Sequence, residues 1–265
     1  MFERLGQIVG RAGWTGWHLG ALFVFLYVPI LFLMALSFNK SGLPTAWTGF
    51  TLDWYGSLFT NAEIGRALLN TLIVAVATTA IATAIGTMIG LALMGVRSPA
   101  WLEALLFAPM IVPDIVLAIA LASFYHLVGM TLGLNSIILS HVVFDVAFVA
   151  AVVRTRLAHF DHSIIEASID LGASEWTTFR RVTLPVILPG VVAAALLAFT
   201  LSIDEFIIAY FTAGAGTSAT TLPMRIYAMV RFGVTPDINA MATILVLASF
   251  VIVLASQRLE RRTAQ

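Results

Sequence analysis

The sequence predicts an all-α, polytopic membrane protein with six transmembrane helices and one long cytoplasmic loop. Two observations carry that prediction. The 265 residues are 60% hydrophobic and only 11% charged, with a mean hydropathy of +0.98, whereas a soluble domain carries about 25% charged residues. Six apolar runs reach the length of about 20 residues that a span needs: roughly 19–38, 68–94, 103–128, 135–153, 188–212 and 238–257. The whole chain, 1–265, reads as a single transmembrane domain solvated by membrane lipid. Zero net charge argues against a nucleic-acid partner, and the lack of cysteine excludes disulfides and cysteine-held metals.

The first run follows Arg4 and Arg11 as a secretory leader would. It exceeds the roughly 7–15 residues of a leader's apolar core, so it reads as a retained helix kinked at Pro29. The loop over 39–66 then sets Trp47, Trp54 and Tyr55 beside Asp53, Glu63 and Arg66, an aromatic cluster suited to headgroup level. In the second run, Gly86 and Gly90 make a GxxxG pattern that lets helices approach closely. The 213–237 loop is longer than a turn requires, which suits docking by an external partner.

The basic residues set the orientation. With the N-terminus inside, ten of the fourteen are cytoplasmic: Arg4, Arg11, Arg97, Arg154, Arg156, Arg180, Arg181, Arg258, Arg261 and Arg262. Lys40, Arg66, Arg225 and Arg231 fall outside, a clear positive-inside bias. Both termini and the polar island between the fourth and fifth runs are therefore expected in the cytoplasm.

That island, about 154–187, reads as two short helices. Ser163 and Glu166 stand in capping-box spacing. Gly172 is placed to end the first helix in a left-handed conformation. Ser174 can cap the second, with Glu175 in its first turn and Arg180 and Arg181 near its end. Leu184-Pro185 is expected to close it. A merely solvated loop does not need Ile164, Ile165, Leu171, Trp176 and Phe179, and these suit docking into a groove on a partner.

Charges inside the spans are costly and mark functional candidates. Asp114, His141, Asp145, Asp204 and Glu205 lie there. At about 1.5 Å per residue, Asp114, Asp145 and Asp204 stand about 14–24 Å from the cytoplasmic ends of their helices. Carboxylates without basic residues at matching depth suit a pathway for a cationic substrate. Asp114, after Pro109 and Pro113, serves either that path or the cap of a broken half-helix. His141 and Asp145, four apart on one face, either pair with each other or meet substrate. Asp204-Glu205 is the sharpest candidate for the path or its gate. No metal-ligand spacing, nucleotide-binding Gly-Lys loop or catalytic triad is legible, so no enzyme activity, catalytic residue, metal or cofactor is expected in this chain.

Glu166-Ala167, four residues and Gly172, followed by an apolar-rich helix and Leu184-Pro185, resembles the EAA loop of ABC-importer permeases. Further stretches resemble the spermidine/putrescine permease subfamily: Pro113-Asp114-Ile115-Val116, Leu132-Gly133-Leu134, the run from Phe199 to Phe206, that from Thr221 to Tyr227, and that from Gly233 to Ala240. The resemblance implies a permease subunit in the bacterial inner membrane that works by alternating access. It implies as partners a second homologous permease, two ATP-binding cassette ATPases that bind the ATP and Mg, and an extracytoplasmic substrate-binding protein. Ile164, Ile165, Glu166, Ala167, Leu171, Gly172 and Trp176 would couple to the ATPase. Asp204, Glu205, Asp114 and Asp145 would line the path of a small organic cation, putrescine or spermidine. The pair is Asp-Glu here where many relatives carry Asp-Asp, so opine-like and other organic solutes stand beside polyamines. A proton-coupled secondary transporter is the rival reading: it accounts for the buried acids and leaves the docking island without a purpose.

Overall fold

The computed structural model describes residues 14–41, 46–94, 98–158, 160–161, 163–231, 236–247 and 250. Arg4, Arg11, Arg97, Arg258, Arg261 and Arg262, His159 and His162, and much of the sixth expected span lie outside them. Within the described residues the regular structure is helical, and two compact units emerge: 1–62 with 226–265, and Glu63–Arg225.

In the first unit, α1 (Trp14–Leu36) is one continuous helix with Pro29 inside it. It is apolar on every face and exposes nearly all of its large side chains, as a helix bathed in lipid does. A folded turn follows. The Trp54 indole N–H, on α2 (Asp53–Thr60), donates to the Asn39 carbonyl at 2.9 Å, and Tyr55 Oη pairs with Ser37 Oγ at 2.7 Å. These two aromatics therefore hold the loop together.

The second unit contains most of α3 (Ala62–Ala92), together with α4 (Ala100–Ile111), α5 (Asp114–Leu127) and α6 (Leu134–Leu157). Then come α7 (Ser163–Asp170), α8 (Glu175–Thr178), a π-helical turn over Phe179–Thr183, α9 (Leu184–Asp204) and α10 (Ile207–Thr212). The chain continues through α11 (Leu222–Arg231) into α12 (Pro236–Leu247).

Among the described residues four helical stretches are long and apolar enough to cross a membrane, or five if one bent pair counts as a single span. The expected run at 103–128 is that pair: α4 and α5 meet at 107°. Pro113 lacks an N–H and drives Val112 to an extended conformation (ψ 134°). The run at 188–212 is likewise interrupted, because α9 stops at Asp204 and Glu205 is extended (ψ 117°). Of the sixth run, 238–257, the described part is the short apolar helix α12 and residue 250.

The centre of the second unit is α6, the most deeply buried helix. Polar side chains tie it to its neighbours, as suits helices in an apolar solvent. Tyr125 Oη on α5 meets Ser140 Oγ at 2.9 Å, and Ser136 Oγ donates to the Thr212 carbonyl of α10 at 2.7 Å. His141 Nδ1 meets Ser202 Oγ of α9 at 2.8 Å, and Arg154 reaches Glu103 of α4 at 3.0 Å. Gly86 and Gly90 of α3 also lie against α6. A Cβ at Gly86 would stand 2.6 Å from Val149 Cγ1, and one at Gly90 2.8 Å from Val153 Cγ1.

Gly86→Leu is therefore expected to force the two helices apart at a cost of about 1–3 kcal/mol. The loss is read as lower thermal stability of the purified chain. Val149→Ala in the same chain should recover part of it, and equal stability of Gly86→Leu and wild type would refute the close packing.

Outside α6, the 213–221 segment is clamped to the N-terminal part of α3. Asn70 Nδ2 donates to the carbonyls of Ser218 and Thr220 at 2.8 and 2.9 Å, and the Leu222 N–H donates to Thr71 Oγ1 at 2.7 Å. Arg225 pairs with Glu63 at 2.5 Å.

Candidate functional site

Two regions gather the candidate residues. The first is the polar island. Ser163 is the first residue of α7 and its N–H donates to Asp161 Oδ1 at 3.0 Å. The short carboxylate two residues upstream takes the capping role expected of Ser163. At the other end Gly172 adopts φ +82°, its N–H reaches the Ile169 carbonyl at 2.8 Å, and the Ala173 N–H reaches the Ser168 carbonyl at 3.1 Å. This paired closure is the Schellman arrangement. A Cβ at Gly172 would meet nothing, so the position needs glycine for its backbone conformation and not for space.

Ser174 Oγ then accepts the Thr177 N–H at 3.3 Å, as expected of a cap. Leu184-Pro185 does not end the second helix. Glu175–Asp204 runs as one 30-residue helical stretch, because the π-helical turn shifts the bonding pattern ahead of Pro185. The Leu184 N–H reaches the Phe179 carbonyl five residues back, a local widening that admits a residue with no N–H to give. The island is thus continuous with span α9. Ser168 Oγ and Thr178 Oγ1, 2.9 Å apart, fasten α7 to α8.

The apolar residues of the island divide between two surroundings. Ile165 is half-buried and packs against the core cluster of Val153, Leu157, Phe160 and Ile187, so part of its surface serves the fold. Leu171 is 88% exposed, Trp176 68% and Ile164 43%. Trp176 packs against Phe179 in a tilted arrangement, 5.6 Å between ring centroids. Ile169 is exposed too, and joins this patch without having been singled out; an isoleucine in a short polar helix was the available signal. Glu166 and Ala167 of α7 and Gly172 of the turn after it are exposed too.

The second region lies where two helices break. Asp114 opens α5 directly after the Pro113 bend and is half-buried. Asp204 ends α9 and is exposed. Glu205 stands between α9 and α10, where its Oε1 accepts the Ile208 N–H at 2.7 Å. That bond gives Glu205 a partner among the backbone groups at the start of α10, which a reading of the pair as lying inside a continuous span does not provide. Asp145, in mid-α6, is fully buried. Contrary to the spacing-based pairing, His141 turns to Ser202 on α9, and both Asp145 oxygens and His141 Nε2 lack a hydrogen-bond partner. Ser202, 61 residues away, leaves no local signal in the sequence.

These four acids form one electrostatic group, since Glu205 interacts with Asp114, Asp145 and Asp204. Ala118 of α5, Phe144 of α6 and Ile208 of α10 pack together, which holds the helices bearing Asp114 and Asp145 against the short helix whose Ile208 N–H bonds Glu205. The ion pairs Arg154–Glu103 and Arg225–Glu63 do not involve these acids. Three carboxyl groups at helix breaks and a fourth in mid-α6, with no ion-pair partner among the described residues, can offer charge-assisted hydrogen bonds to a cation. No group of His, Asp and Glu among the described residues is arranged to hold a metal.

A family model described as the binding-protein-dependent transport system inner membrane component matches residues 82–265. The chain is 41% identical over 248 residues to the spermidine/putrescine transport system permease protein PotC of Escherichia coli K12, covering 93% of each chain. It is 39% identical over 232 residues to the putrescine transport system permease protein PotI of the same organism, covering 84% of this chain and 82% of that one. Among solved structures, its fold matches a bacterial ABC transporter involved in import of the acidic polysaccharide alginate. The TM-score is 0.73, at 19% identity, with 99% of this chain and 100% of that one covered. An inward-facing form of the MetNI methionine ABC transporter matches with a TM-score of 0.61, at 23% identity, covering 75% of this chain and 95% of that one. With more than half its length inside the family model and two permeases this similar, the chain belongs to the inner-membrane permease components of binding-protein-dependent ABC transport systems.

Proposed function

We propose that this permease carries polyamines, putrescine or spermidine, inward across the membrane. The observation that carries the reading is the 41% identity to a spermidine/putrescine permease across 93% of both chains. The acid group at the two helix breaks supports it, because each ammonium group of a polyamine can exchange lost hydration for a charge-assisted hydrogen bond. The chain would act beside a second, homologous permease, two ATPase subunits that bind ATP and Mg, and an extracytoplasmic binding protein. Both termini and the island would face the cytoplasm. The exposed patch of Ile164, Leu171 and Trp176, on the island that also bears Glu166, Ala167 and Gly172, would seat in the ATPase. Because the island continues into α9, movement of the ATPase would be transmitted along one helix to Asp204 and the break beyond it, and the path would open alternately to either side.

The test is uptake of labelled putrescine and spermidine in cells without another polyamine importer, with and without this gene. Uptake should depend on the gene. Unchanged uptake on deletion would overturn the substrate assignment and redirect it to opine-like and other organic solutes. Collapse of the pH gradient with ATP maintained should leave uptake intact, and loss of uptake there would favour the proton-coupled carrier.

A further inference from the structure

Asp145 differs from the other three acids in its surroundings. It is 0% exposed, with neither oxygen hydrogen-bonded, whereas Asp114 and Glu205 are half-buried and Asp204 is open. One turn earlier on α6, His141 is 1% exposed and has an unpartnered Nε2. Burial of an ionised carboxylate without a partner is strongly unfavourable, and the charged group that reaches Asp145 is another acid, Glu205. Two chemistries relieve such a site: a proton held on the carboxyl, or a cation that arrives. The architecture favours the second. Asp145 lies within electrostatic reach of the half-buried Glu205, which in turn lies within reach of Asp114 and Asp204. Next to it in sequence, Phe144 packs with Ile208 of α10. That six-residue helix is attached to α9 through the non-helical Glu205-Phe206 link, and short links of this kind absorb the backbone change when packed elements part.

We propose that Asp145 is an inner ammonium station. It is reached when α10 moves about the Glu205-Phe206 link, so that Asp145 and the outer acids Asp114, Asp204 and Glu205 engage two charges of one flexible substrate. The inference rests on the polyamine reading and adds a reason for selecting cations with at least two ammonium groups. A single charge satisfies the outer acids alone, while a second, carried on the same chain, offsets the cost of opening onto a buried carboxylate.

The experiment uses the complete importer reconstituted in lipid vesicles, with putrescine and spermidine as probes. Asp145→Asn preserves shape and mimics a permanently protonated carboxyl. Uptake should fall about tenfold or more, the scale of one lost charge-assisted bond. Assembly and the ATP hydrolysis stimulated by loaded binding protein should both persist. Asp145→Glu, which restores the charge, should regain part of the uptake. Wild-type uptake by Asp145→Asn would assign the carboxyl to a held proton and overturn the station. Equal loss in Asp145→Asn and Asp145→Glu, with ATP hydrolysis lost in parallel, would assign a packing role and overturn it as well. Failure of the wild-type importer to carry either amine would instead remove the polyamine reading on which the station depends.

Discussion

Polyamine uptake by an importer carrying Asp204→Asn/Glu205→Gln is expected to fall about a hundredfold, with the protein assembled and present at its normal level. Each charge-assisted hydrogen bond contributes about 1.5–3 kcal/mol, and about 1.4 kcal/mol corresponds to a factor of ten. The amides isolate charge from shape. Glu205 Oε1 accepts the Ile208 N–H at 2.7 Å, and the carbonyl oxygen of Gln can accept the same bond, so the start of α10 keeps its cap. Asp204 is exposed at the end of α9 and has no packing to lose. Glu205→Ala provides the contrast: it removes both charge and cap, and should lower thermal stability as well as uptake. Labelled putrescine and spermidine uptake, normalised to membrane level, decides the matter. Wild-type rates in the double amide would take both acids out of the path and leave Glu205 as the cap of a short helix.

The contrast between these two acids shows how far the sequence could be read. Composition and run length were enough for an all-α membrane chain, since both are sums over a window. The Gly172 turn was legible because its cause is local: one residue without a Cβ, five positions after Ala167, closes two backbone bonds. Breaks within apolar runs were legible only in part: one of the two roles read for Asp114 was the cap of a broken half-helix, while nothing marked the break at Glu205. A hydropathy window registers composition and not direction, so it joined α4 to α5 across the Pro113 bend and carried the fifth run through Glu205. At Pro185 the opposite error arose, because proline was read as a stop while a π-helical turn let the helix continue. Side-chain partners set by tertiary packing were out of reach too. Nothing near His141 announces Ser202, and Ile165 differs from Ile164 only in the face it presents.

That last distinction yields the second large effect. Leu171→Ala/Trp176→Ala is expected to abolish co-purification of the ATPase, whereas Ile165→Ala should retain it and lower the thermal stability of the permease itself. Leu171 and Trp176 are exposed, on either side of the Gly172 turn, and Phe179 supports the Trp176 ring. Large apolar anchors of this kind dominate interface energetics, each contributing about 2 kcal/mol or more where they fill a pocket. Two such losses correspond to roughly a thousandfold in affinity. Because the patch leads through the π-helical turn into α9 without a break, its loss should also end ATP-driven uptake while Asp204 and Glu205 stay chemically intact. Pull-down of the ATPase on tagged permease, alongside thermal unfolding of each variant, separates the two roles. Retained ATPase with the double variant would place the contact elsewhere on the cytoplasmic surface. Loss with Ile165→Ala alone, at unchanged stability, would return Ile165 to the docking face.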